Sequence, residues 1–119
     1  MKLDIKEIKD NGAHDERVVL IATEDCDIGR YFAFITKLSE GKIVYNNIKY
    51  PFWFPDKLVK KGDLIVLYSG KGTDNFKINT DGTTSYFYYR GLDTSILIGN
   101  YITLIVEANN WKVDKTITQ

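Results

Sequence analysis

The sequence predicts an all-β protein of about eight or nine short strands, arranged as a β-sandwich or a barrel. Three observations lead there. Apolar residues recur with a period of about two rather than about 3.6 through most of the chain. The apolar runs are short, and clusters of Gly, Asn, Asp and Pro separate them. No stretch carries the long amphipathic stripe of a surface helix, while eight Tyr, six Phe and two Trp suit pleated strands.

The elements follow in order. Leu3 and Ile5, with Glu7 following, share one face of a first strand. Arg17 to Thr23 is a continuous apolar run rich in β-branched residues and reads as a buried strand. Acidic residues and Gly29 interrupt the pattern at Glu24 to Arg30. Tyr31 to Lys37 is the next strand, with Phe32 and Phe34 on one face. Ser39 to Lys42 signals a turn, Ile43 to Tyr45 a short strand, Asn46-Asn47 another turn, and Ile48 to Phe54 a further strand. Asp63 to Ser69 follows the Lys60-Lys61-Gly62 turn, where Gly62 is expected at positive φ. Gly70 to Thr84 reads as a long loop. Ser85 to Arg90, Tyr101 to Glu107 and Trp111 to Lys115 complete the set, the last two joined by an Asn109-Asn110 hairpin turn. Residues beyond these strands form a short tail at Asp114 to Gln119.

Bulk properties narrow the classes of function. With 119 residues the chain suits one domain spanning 1–119. A domain of this size buries roughly two-thirds of its unfolded surface and needs no disulfide or metal staple. Lys+Arg and Asp+Glu number 16 each, and the resulting zero net charge argues against a dedicated nucleic-acid binder. Cys26 is alone, so neither an intrachain disulfide nor a multi-cysteine zinc site can form. The N-terminal residues alternate charged and apolar side chains and lack the apolar run of a signal peptide. No segment approaches the roughly 20 apolar residues of a membrane span, and the expected location is cytoplasmic.

Two stretches concentrate aromatic and basic residues. In Tyr50 to Phe54 the alternation puts Phe52 and Phe54 on one strand face and Trp53 on the other, and Pro55 ends the strand. Lys57, Lys60 and Lys61 then fall in a solvated connection, where they either have no ligand or form an anion-facing surface. In Ser85 to Arg90, a core-facing Phe87 and Tyr89 would turn Tyr86, Tyr88 and Arg90 toward solvent. Tyr and Arg are frequent binding hot spots because each offers large contact area and a hydrogen-bonding tip. Trp53 and Trp111 read as partly buried strand residues or as stacking platforms for a sugar.

The order of these signals resembles the lamin-tail domain family. The matching elements are Arg17 to Leu20, Gly29 to Phe32, Tyr50 to Phe54-Pro55, Leu58 to Asp63, Leu64 to Tyr68, Ser69 to Gly72, Phe87 to Gly91, and the late pair within Tyr101 to Lys115. Phe54-Pro55 followed by Gly62 and the apolar strand is the strongest of them. The usual Trp after the early Gly is replaced by Tyr31 or Phe32. The resemblance covers a core at 16–115 and implies a two-layer immunoglobulin-like antiparallel β-sandwich. It also implies a non-catalytic interaction module.

Tests for site chemistry return little. His14 is the one histidine, and nothing local marks it or Cys26 as an activated pair. The acidic run Glu24, Asp25, Asp27 fails as an EF-hand, because Arg30 and Thr36 stand where that loop needs Gly and Glu. Gly70-Lys71-Gly72 fails as a phosphate loop, because Ile65 and Gly72 break the spacing and no helix follows. The expectation is therefore a binding module with no catalytic residues, metal or cofactor, whose partner is a protein. The binding candidates are Trp53, Tyr86, Tyr88, Arg90, Lys57, Lys60 and Lys61. A carbohydrate ligand on exposed aromatics, or weak nucleic-acid binding through the basic turn, are the alternatives. No feature selects an oligomeric state.

Overall fold

The structure, a computed structural model, describes residues 1–115. Its strands are β1 (Leu3–Lys9), β2 (Arg17–Ala22), β3 (Cys26–Asp27), β4 (Tyr31–Ser39), β5 (Lys42–Ile43), β6 (Lys49–Trp53), β7 (Leu58–Val59), β8 (Leu64–Tyr68), β9 (Asn75–Ile78), β10 (Thr84–Tyr89) and β11 (Tyr101–Glu107). One 3₁₀ turn at Ile28–Arg30 precedes β4, and among the described residues no helix is long and apolar enough to cross a membrane. The first sheet has the order β1-β2-β8-β10-β9. The second places β4 between β11 on one side and β5 and β6 on the other, and β3 pairs with β7 as a short ribbon. Neither large sheet closes on itself, so the fold is all-β but not a barrel.

The two large sheets share one core. Val18, Leu20, Ile65, Leu67 and Tyr88 from the first sheet pack with Tyr31, Ala33 and Phe54 from the second. Phe54 is fully inside and Phe52 packs against the same cluster, while Trp53 points the other way, as alternation through Tyr50 to Phe54 requires. A smaller cluster of Ile35, Ile96 and Leu97 closes one end. Glu16 ties that end together. Its buried carboxylate accepts from Ser69 Oγ (2.5 Å) and from the backbone N–H of Ile96 (2.8 Å), Leu97 (3.0 Å) and Gly12 (2.9 Å). Burial alone would push this carboxyl up, but those four donors together hold it below the usual glutamate range.

Turn chemistry explains several connections. Glu40 and Gly41 both have positive φ, which closes the two-residue turn between β4 and β5 with the strand twist. Gly62 lies at φ +93 in the turn before β8, as expected. The Asp63 carboxylate bridges that turn, accepting from the Lys60 and Thr84 backbone N–H groups.

Four expectations change. The stretch Gly70 to Thr84 is not all loop: it contains β9, which pairs antiparallel with β10. That excursion lets β10 return parallel to β8, so the first sheet is mixed rather than wholly antiparallel. A bulge at Lys6 puts Ile8, not Glu7, on the face of Leu3 and Ile5. Trp111 to Lys115 forms no strand, and Asn109-Asn110 is no hairpin turn. After β11 the chain crosses back over β4, held by the Ala108 N–H on the Arg30 carbonyl (2.7 Å). Of the tail expected at Asp114 to Gln119, residues 116–119 lie outside the described residues.

Candidate binding surface

The second sheet has an apolar outer face. Phe32 stands opposite Trp53 in the β4–β6 ladder and opposite Val106 in the β4–β11 ladder, and Phe34 stands opposite Leu104. These side chains share a face because paired residues in a ladder project together. Phe32, Phe34, Val106 and Leu104 are half-buried, and Trp53 is 48% exposed. The returning segment then lays Trp111 against Trp53, with ring centroids 4.9 Å apart and planes at 80°. Phe32 meets Phe34 edge-to-face at 4.9 Å and Trp53 at 5.7 Å. Pro51, Ala108 and Asn110 complete the walls of a groove of about 360 Å³ in which almost every wall atom is apolar.

The Trp53 indole is held in place. Its Nε1–H donates to the Gly29 carbonyl at 2.6 Å. Gly29 is itself tightly packed: a Cβ there would lie 2.8 Å from the Asp56 Cα. Asp27 organises this corner, its carboxylate accepting from the backbone N–H of Gly29 (2.9 Å) and Lys57 (3.0 Å). Asp25 likewise accepts from the Lys61 N–H. Asp25 and Asp27 of the acidic run before β4 therefore serve as backbone caps.

The other expected site residues divide. Lys57, Lys60 and Lys61 are exposed, and Lys60, Lys61 and Tyr86 line one shallow depression with Leu58. The Lys57 ammonium sits 5.5 Å from the Tyr86 ring centroid, a cation–π contact. Tyr88 and Arg90 require correction, because β10 presents the opposite phase. Tyr88 is 7% exposed and lies in the core, between Phe54 (5.6 Å) and Phe52 (6.3 Å), and Tyr86 packs on the same side. Arg90 also turns inward, where its Nη1 is buried without a hydrogen-bond partner among the described residues. Burial pushes its guanidinium down to about 10, against the pull of the Glu16 charge. Phe87 and Tyr89 instead face outward, with Tyr89 stacked on Tyr68 at 4.8 Å. A Tyr ring can fill a core while its hydroxyl sits at the margin, so alternation alone leaves the phase of an aromatic strand open.

In the depression beside His14, Ser69, Gly70 and Lys71, three polar side chains are already engaged. Lys71 is bridged to Asp93 at 2.7 Å, Ser69 Oγ donates to Glu16, and Ser95 Oγ donates to the Gly12 and Ala13 carbonyls. Burial pushes the Cys26 thiol up, away from thiolate chemistry.

Sequence reasoning singled out Trp53 but left Phe32, Phe34 and Pro51 unassigned. A pair of Phe residues two apart, on the face opposite Tyr31, Ala33 and Ile35, was the available signal. No family model matches this chain, and no curated protein matches it.

Proposed function

We propose that this chain is an immunoglobulin-like, lamin-tail-like β-sandwich that works as a non-catalytic binding module, with the Trp53–Trp111 groove receiving an apolar segment of a protein partner. The observation that carries the reading is the gathering of both tryptophans with Phe32 and Phe34 on one sheet face that the described residues leave open. Rigid aromatic anchors around a concave apolar site are what protein hot spots are built from. The lamin-tail-like part of the reading rests on the order of strand and turn signals from Arg17 to Gly91.

A carbohydrate is the second reading, favoured by the exposed indole of Trp53. It has weaker support, because a sugar needs several convergent polar groups and, among the described residues, Asn110 is the one polar side chain lining the groove. The test uses the fact that the chain has two tryptophans and both lie here. Peptides selected from a displayed library, and glycans from an array, are titrated while tryptophan emission is followed. Apolar peptides that shift the emission and lose binding to Trp53→Ala support the protein reading. Glycan binding lost in Trp53→Ala supports the second. Ligands that bind Trp53→Ala and wild type alike refute both.

A further inference from the structure

Away from the groove, the far edge of the first sheet carries a second surface. β9 pairs with β10 and is the last strand of its sheet, so among the described residues nothing pairs with the backbone donors and acceptors of its other edge. Phe76 and Ile78 continue the inner face, opposite Tyr86 and Thr84, yet they are 66% and 70% exposed. Leu58, 78% exposed, lines the depression that also holds Tyr86. Lys77 projects from the opposite face between Phe76 and Ile78. Lys57, Lys60 and Lys61 sit beside the apolar patch, and among the described residues none of these four lysines forms an ion pair. Both acids that line the depression are engaged elsewhere, Asp63 with the Lys60 and Thr84 N–H groups and Asp81 with the Thr83 N–H and hydroxyl, while the exposed Asp74 stands immediately before β9, three positions from Lys77.

The geometry points to β9 as the docking edge for an extended acidic peptide segment of a partner protein, added to the sheet as a further strand. Backbone pairing with β9 supplies attachment, and apolar side chains at alternate positions cover Phe76 and Ile78. A carboxylate on the intervening position lies beside Lys77, where opposite charges across a ladder are favourable. A second copy of this chain fits poorly. A twofold pairing of β9 with itself that keeps Phe76 beside Ile78 sets Lys77 directly against its own copy. The sheet's other edge, β1, is blunted by the bulge at Lys6 and by the Asp4 carboxylate on the Ile5 N–H.

The experiment titrates an octapeptide of alternating valine and glutamate into the isotopically labelled chain and follows backbone amide shifts. The valine–lysine counterpart and a proline-interrupted version serve as comparisons. The expected result is a saturable shift of the β9 amides by the valine–glutamate peptide, weakened by salt and absent with the other two. Lys77→Glu is expected to lose the acidic peptide by about tenfold or more and to gain the basic one. Both variants' folding is checked by their unperturbed core amides, and Phe76→Ser is expected to lose the acidic peptide without gaining the basic one. Any of four results overturns the proposal: no β9 shift at millimolar peptide, equal shifts from the acidic and basic peptides, the same shifts produced by a single-stranded oligonucleotide, or concentration-dependent self-association that protects β9.

Discussion

Trp111 meets the ring of Trp53 edge-on at 4.9 Å, although one follows the last strand and the other ends β6. The contact depends on two backbone anchors, the Ala108 N–H on the Arg30 carbonyl and the Trp53 indole N–H on the Gly29 carbonyl. Both acceptors belong to the 3₁₀ turn before β4, so this short turn positions both walls of the groove.

That arrangement predicts coupled tryptophan behaviour. Trp53→Phe removes the indole donor and leaves Trp111 as the remaining fluorophore. Its emission is expected to shift to the red and its quenching by acrylamide to rise. Gly29→Ala should do the same through displacement, because its new methyl meets the Asp56 backbone. Unchanged quenching of Trp111 in both variants would show that the two rings do not pack in solution.

Phe54 and Lys60 form a contrasting pair in one connection. Phe54 is buried among Phe52, Tyr88 and the core aliphatics. Phe54→Ala is expected to cost roughly 3–5 kcal/mol. The exposed Lys60 side chain makes no ion pair among the described residues, and Lys60→Ala should stay within about 0.5 kcal/mol of wild type. Urea denaturation of both variants checks the pair. A Phe54→Ala midpoint equal to that of wild type contradicts its place in the core.

Much of the strand content was legible because burial and period coincide. Arg17 to Ala22 and Leu64 to Tyr68 are central strands, and their β-branched runs leave little choice. β9 was hidden for the converse reason. It is an exposed edge strand of four residues, and its polar–apolar alternation from Asn75 to Ile78 is too short to stand out from the flanking Gly, Asn, Asp and Thr residues. The Asp81-Gly82 pair, between Ile78 and Thr84, was the hairpin signal there. The groove could not be read from local pattern at all. Trp111 reaches Trp53 by a crossing of β4 that no hydrophobic periodicity encodes. The phase of β10 was undetermined because Tyr86, Phe87, Tyr88 and Tyr89 can each sit on either face, and parallel pairing with β8 decided it.

Tyr50 offers a test of stored strain. It has φ +53, immediately before Pro51, at the bulge where β6 slips against β4. A residue before proline is pushed toward extended backbone, and the left-handed region costs an ordinary side chain roughly 1–2 kcal/mol. Tyr50→Gly is therefore expected to raise the thermal midpoint, offset in part by the lost contacts of a residue that is 39% exposed. Tyr50→Val should lower it. The opposite order of midpoints would mean that the bulge relaxes away from the left-handed region in solution.

Glu16 predicts how the fold responds to acid. Its carboxylate accepts four hydrogen bonds, two of them from the N–H groups of Ile96 and Leu97 in the small end cluster. Those donors favour the charged form and hold its pKa below the ordinary value despite burial. In the unfolded chain a glutamate titrates near about 4.3, so there the proton binds more tightly than in the fold. The stability contributed by this difference is present in full above that pH and is lost as pH falls through the lower folded value. Glu16→Gln keeps the shape but removes the charge, and should cost about 2 kcal/mol at neutral pH. The gap between variant and wild type should narrow steadily below pH ~4.3 as the wild-type carboxylate takes up its proton. Urea midpoints measured for both proteins from neutral pH down to about pH 3 give the comparison. A gap that stays constant across that range would mean that Glu16 binds protons equally in the folded and unfolded chain, and that its hydrogen bonds do not favour the ionised form.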